Sequence, residues 1–215
     1  MQRRKTKRNN IFIVVGTLLI FFATSYLIFN YYSNERLKQQ DNDKVEEFFE
    51  VEEEEIEEVV EEVVEEVVEE PKEEKQQINY DYIAVLEIPK INLKRGLVST
   101  DSKYNNVNYN IKIVDGSLMP YVRNGNLILA GHNGSAYISF FKNLYKLDIN
   151  DSVYVYFDGI KYEYKIADIY DVDKTGTVNI SRDKNRTTIT LITCKKYSKD
   201  KQTVFIGYLS NKEAY

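Results

Sequence analysis

With 215 residues, 34 of them acidic and 29 basic, the chain carries a net charge of −5 and has room for one domain of ordinary size or two small ones. One cysteine excludes a disulfide framework, and neither zinc-finger spacing nor a glycine-rich phosphate loop is present, so nucleic acid has no case as a partner. The charge is also unevenly spread, which makes the whole-chain pI a poor guide to partners.

Arg3, Arg4, Lys5, Lys7 and Arg8 precede an uncharged apolar run from Ile11 to Phe29, followed by Asn30, Tyr31 and Tyr32. At ~1.5 Å rise per residue, about twenty such residues cross a hydrocarbon core roughly 30 Å thick. A cleaved signal peptide has a shorter apolar core and a small-residue cleavage site, whereas Ala23-Thr24-Ser25 lies inside this run. The sequence therefore predicts a cytoplasmic basic tail over 1–10 and an uncleaved single-pass signal anchor over 11–32. The basic flank keeps the N-terminus in the cytoplasm, and everything after Tyr32 lies outside.

Residues 33–77 read as a low-complexity spacer. From Glu46 to Glu74 there are seventeen glutamates, interleaved with valine pairs as VVEEVVEEVVEE. A period of four drifts about 40° per repeat against the 3.6-residue turn, so a valine stripe winds around the helix axis, and like charges four apart repel. The run favours a solvated, charge-extended acidic linker over a defined coiled coil, and its metal binding would be nonspecific.

The composition changes at Ile78. Residues 78–215 hold 19 basic against 14 acidic side chains, a net of +5, which suits an anionic wall or membrane surface. Tyr82 to Glu87, Leu127 to Gly131, Ser152 to Phe157, Lys161 to Val172, Thr187 to Cys194 and Thr203 to Tyr208 alternate or run β-branched and aromatic, and read as strands. Asp158-Gly159 signals a tight hairpin, and Ala136 to Tyr145 a short helix or turn. Short strands without alternating long helices predict a mainly β domain, an antiparallel or mixed barrel or sandwich.

Two singletons end strands in this domain. His132 closes LILAGHNG, where a turn residue is the plain reading, and Cys194 closes TLITC, where a small buried apolar residue is the plain reading. The sharper reading pairs them, with a cysteine thiolate as nucleophile and a histidine to move protons. A cysteine outside the cell without a disulfide partner stays a free thiol, which favours chemistry over structure.

LAGHNG followed some sixty residues later by TLITC resembles the paired signature of the sortases, cysteine transpeptidases of Gram-positive surfaces. IAVLEIPKI at Ile83 to Ile91 resembles the opening of their catalytic domain, and Thr203 to Leu209 their closing strand. The resemblance covers about Ile78 to Leu209. It implies an eight-stranded β-barrel with short helices, Cys194 as nucleophile and His132 as acid and base. It further implies a donor protein with a C-terminal LPXTG-type sorting signal, cut between Thr and Gly. The acceptor would be an amine of a peptidoglycan cross-bridge or a pilin lysine. No cofactor or metal is implied, with calcium dependence left open.

Sortases share an arginine at the start of the strand after the cysteine, as the oxyanion donor, and here the sequence departs. Gln202 stands at that position with Lys201 beside it. A glutamine amide donates hydrogen bonds without net charge, and lysine supplies charge without the bidentate fork. Both are candidates, as is an arginine from elsewhere, Arg123, Arg182 or Arg186. Thr193 is a candidate substrate contact, and Asn126 shapes the strand leading to His132. Two other readings stand beside the enzyme: a non-catalytic sortase-like domain that binds peptide or wall polymer, and an unrelated cysteine transpeptidase or amidase, whose local motifs would differ.

Overall fold

The computed structural model describes residues 3–58 and 81–215 of the chain. They divide into two compact units, Met1–Asp41 and Asn42–Tyr215. In the first, helix α1 (Arg3–Glu58) begins. Leu19, Ile20, Phe21 and Phe22 there are each about two-thirds exposed, and the helix is long and apolar enough to cross a membrane.

The second unit holds the end of α1 and the β domain. The first part of the acidic run, 46–58, is helical rather than extended. Glutamate is a good helix former, and the turns before it already supply the costly nucleus. Side-chain packing adds to this. Val45 is buried, and the Phe49 ring meets Tyr156 and Tyr215 edge-on at centroid distances of 5.1 and 5.4 Å, with Lys94 Nζ 4.3 Å above it. The VVEE repeat itself, residues 59–70, lies outside the described residues.

Eight strands follow: β1 (Tyr82–Ile88), β2 (Leu93–Val98), β3 (Lys112–Ile113), β4 (Asn126–Ala130), β5 (Ser152–Phe157), β6 (Ile160–Asp173), β7 (Thr188–Cys194) and β8 (Lys201–Ala214). They form one sheet in the order β2-β1-β5-β6-β8-β7-β4-β3, and its two ends approach one another to make a nearly closed barrel. Every pairing is antiparallel except β4 with β7. The mainly β, eight-stranded fold implied by the resemblance is the fold observed. The predicted short helix over Ala136 to Tyr145 is instead a series of turns entering a 3-10 turn at Leu144–Lys146.

Local chemistry explains the register. Asp158 and Gly159 both take positive φ, 53° and 66°, as a two-residue hairpin requires, and Phe157 pairs directly with Ile160. The 14-residue strands β6 and β8 pair along their length, with two register shifts, one extra residue in β8 at Ser210 and one in β6 at Ala167, that let the pair bend around the barrel.

Alternation then sorts the side chains into two apolar layers. Leu127, Leu129, Ile189, Leu191 and Phe205 belong to the barrel core with Leu86, Val155, Tyr164 and Ile166. Ile192, Val204 and Ile206 form a second, smaller cluster on the other face of β7 and β8, joined by Ile128, Tyr170 and Val172 and covered by Val178 and Ile180. The site lies where this second layer reaches the ends of β4, β7 and β8.

Candidate active site

The one parallel pairing brings the two singletons together. β4 and β7 run in register from Asn126↔Thr188 to Ala130↔Ile192, so His132 and Cys194 each stand two residues past the same rung, on strands about 4.8 Å apart. The match continues beyond the last rung. Gly131 N donates to Ile192 O (3.1 Å), Thr193 Oγ1 to Gly131 O (2.9 Å), and Asn133 Nδ2 to Cys194 O (2.8 Å). Both strand ends are thus stitched residue by residue.

Gly131 lets the histidine turn close. A Cβ there would lie 2.8 Å from the Phe141 ring, and Phe141 N returns to donate to His132 O at 3.1 Å. His132 Nε2 lies 3.3 Å from Asn108 Oδ1, so a protonated Nε2 donates to that oxygen. Such a bond leaves Nδ1 of the neutral ring as the nitrogen able to exchange a proton elsewhere. The loop carrying Asn108 is anchored from below. Arg95 is buried, donates through Nε to Asn110 Oδ1 (2.7 Å) and lies 4.3 Å from the Phe140 ring centroid. Burial brings the Arg95 guanidinium down to about 10.

Cys194 is a half-buried free thiol following six buried residues of β7. Its antiparallel partner is Gln202. Directly opposed residues share a face, so Gln202 and Cys194 continue the rows of Val204, Ile206 and Ile192. His132 continues the row of Ile128 and Ala130 on the neighbouring strand. Lys201, one residue earlier, points to the opposite face, and its ammonium is 3.4 Å from Asp173 Oδ1.

The other candidates lie elsewhere. Arg182 donates to Asn124 O and Thr188 Oγ1, both at 3.3 Å, and the Arg186 guanidinium covers the Tyr208 ring at 3.9 Å. Arg123 precedes Asn124, whose N donates to Thr187 Oγ1 (3.0 Å). All three arginines belong to the Thr188 end of β7, six residues or about 20 Å of strand away from Cys194. Thr193 is buried and its hydroxyl is spent on Gly131, while Asn126 accepts from Thr190 Oγ1 at 2.9 Å inside the sheet. Among the described residues no group of three His, Cys, Asp or Glu side chains gathers as a metal site.

Three side chains of this region carried no signal in the sequence. Asn108 sits in an asparagine-rich stretch with no spacing that marks it, and Tyr145 and Lys196 are ordinary surface types. Asn133 stands inside LAGHNG, where its residue type reads as turn chemistry.

Residues 86–210, more than half of the chain, match the family model of the sortase domain. The chain belongs to the sortase family. Solved sortases share its fold: sortase C1 of Streptococcus agalactiae is 26% identical with a TM-score of 0.54, over 63% of this chain and 72% of that one. The sortase D5 transpeptidase of Clostridium perfringens is 23% identical (TM-score 0.52; 63% and 84% covered), and sortase A of Listeria monocytogenes 21% identical (0.51; 62% and 90%). Compared with curated protein sequences, the chain has no match. Sortases are in general cysteine transpeptidases of the cell surface that act on proteins bearing sorting signals.

Proposed function

We propose that this sortase is a membrane-anchored transpeptidase that cleaves an LPXTG-like sorting signal through a Cys194 thioester and transfers the acyl group to an amine of the cell wall or a pilin. The observation that carries the reading is the stitched register of β4 and β7, which sets His132 beside Cys194. Cys194 Sγ attacks the carbonyl carbon of the signal's Thr, and the tetrahedral oxyanion collapses to a thioester as the bond from that carbon to the Gly nitrogen breaks. His132 gives the departing amine its proton and later takes one from the incoming amine. Asn108, accepting from Nε2–H, holds the ring so that Nδ1 does this work.

Gln202 is the oxyanion donor in this reading, since it opposes Cys194 on the same face while Lys201 is turned toward Asp173. The apolar strip of Ile128, Ile192, Val204 and Ile206, packed beneath Val178 and Ile180, backs the strand ends that carry the thiol. No cofactor takes part. Residues 1–10 form the cytoplasmic tail, 11–32 the anchor, 33–77 the spacer and 78–215 the extracellular catalytic domain.

One observation favours a second reading. Without the family arginine the barrel has lost a formal charge at the oxyanion position, as a non-catalytic domain that only binds signal peptides or wall polymer would. Incubating the full-length protein in detergent with pooled LPXTG-type peptides and an amine separates the two. A transpeptidase yields a new amide joined after Thr, whereas a binding domain returns the peptides uncut.

A further inference from the structure

A pocket of about 190 Å³ opens at the end of the barrel, bordered by Cys194, Asn133, Tyr145, Thr193, Lys196 and Thr203. It is smaller than the ~300–1,000 Å³ of sites that enclose a drug-sized ligand, and so fits the end group of a larger molecule. With Thr193, Thr203 and Phe205 on its wall, it lies across β7 and β8 from the apolar strip of Ile192, Val204 and Ile206. The pocket thus gives Cys194 an approach from the face of the sheet opposite that strip.

The polar side chains of the pocket are committed, with one exception. The Asn133 amide donates to Cys194 O, the Thr193 hydroxyl to Gly131 O, and the Thr203 hydroxyl to Asp171 Oδ1 at 2.8 Å. Lys195, also on the wall, is ion-paired with the same Asp171. Lys196 has a different kind of partner. Its ammonium lies 3.6 Å from the Tyr145 ring centroid and 5.0 Å from that of Tyr197. Among the described residues no carboxylate pairs with it. Aromatic rings fix an ammonium in place and leave its positive charge whole. That charge faces a concave site beside the reacting sulfur, where it attracts an anion more strongly than on open surface.

We propose that this pocket receives the acyl acceptor, and that Lys196 selects acceptors carrying a carboxylate near the attacking amine. The inference rests on the thioester reading above. In the step it serves, the neutral amine nitrogen attacks the thioester carbonyl carbon and a C–N bond forms. The C–S bond breaks, its electron pair leaves as the Cys194 thiolate, and the surplus proton on nitrogen passes to His132. Lys196 changes no bond; it holds the carboxylate while the amine points at the carbonyl.

The test uses the full-length protein in detergent, pooled LPXTG-type peptides as donors, and two acceptors whose amines differ little in basicity, diglycine and diglycinamide. The readouts are the acyl adduct on Cys194, by mass, and the ratio of transfer to hydrolysis, which does not depend on how fast the adduct forms. The wild type is expected to favour diglycine over diglycinamide by about fivefold or more, the preference disappearing in Lys196→Gln and persisting in Lys196→Arg. Equal use of the two acceptors by the wild type, or an undiminished preference in Lys196→Gln, overturns the proposal. If no adduct forms on the wild type, the thioester reading falls and takes this inference with it; an adduct that is indifferent to the acceptor carboxylate removes this inference alone.

Discussion

The side-chain amide of Asn133 donates to the main-chain carbonyl of Cys194 at 2.8 Å, across 61 residues of sequence. The residue after the histidine thus holds the residue that carries the thiol. Replacing Asn133 with Ala removes this strut but leaves the ladder below it intact, because Ala130↔Ile192 and the Thr193–Gly131 bond remain. A hydrogen bond worth about 1 kcal/mol corresponds to a loss of about fivefold in kcat. Steady-state kinetics should show that loss, with a thermal midpoint within a few degrees of the wild type.

Gln202 and Lys201 are separated by the sheet itself, and their substitutions should differ accordingly. Gln202→Ala is expected to slow adduct formation by about 10²-fold, the effect of losing an oxyanion donor, and Lys201→Ala to change it less than about twofold. Gln202→Arg should raise the rate, because a charged donor on the same face meets the developing negative charge. Rapid-quench mass analysis of the adduct measures all three.

Asn108 is placed to act on the substrate through His132, whose Nε2 lies 3.3 Å from its Oδ1. Asn108→Ala should therefore lower kcat by about tenfold with little change in KM for the donor, as expected when a proton-transfer group loses its orientation. A loss confined to KM would place Asn108 in donor binding instead.

Asp171 gives a pH prediction. Hydrogen bonds from Lys195 and then Thr203 hold its carboxyl below the usual carboxylate range. The folded-state value is depressed, so the stabilisation is fully present above the unfolded pKa and is lost as pH falls through the lowered folded value. Because the pair is largely exposed, its contribution is below about 1 kcal/mol. Denaturant unfolding of Asp171→Asn against the wild type should show a small deficit at pH 7 that vanishes under acidic conditions.

The fold was legible where one strand face is apolar and the other is not. Ser152–Phe157 was read to the residue, and Thr187 to Cys194 to within one. β2 was missed because Lys94, Arg95 and Gly96 interrupt its alternation, and only the structure shows why they are there. A Cβ at Gly96 would enter the Tyr82 ring at 2.1 Å, and Arg95 is buried against Phe140 and Asn110. β3 is two residues long and too short to carry a period. β8 runs on to Ala214 because β6 pairs it throughout, although its last residues are exposed.

The site was legible only as far as its residue types are rare. One cysteine and one histidine, each closing an apolar run, could be paired from the sequence, and the β4–β7 register sets them side by side. Asn108 and Lys196 reach the site through loops whose geometry depends on packing, and nothing in their local sequence marks them. The choice between Gln202 and Lys201 required knowing which residue opposes Cys194, since a one-residue shift exchanges the faces.

Mapping covalent mass on the full-length protein after exposure to pooled LPXTG-type peptides reports whether Cys194 carries the acyl group with His132 as its proton partner. An acyl adduct is expected on the peptide containing Cys194, absent in Cys194→Ala and formed about 10²-fold or more slowly in His132→Ala. A wild type that never acquires the adduct, or a His132→Ala protein that acquires it at the wild-type rate, would contradict this assignment.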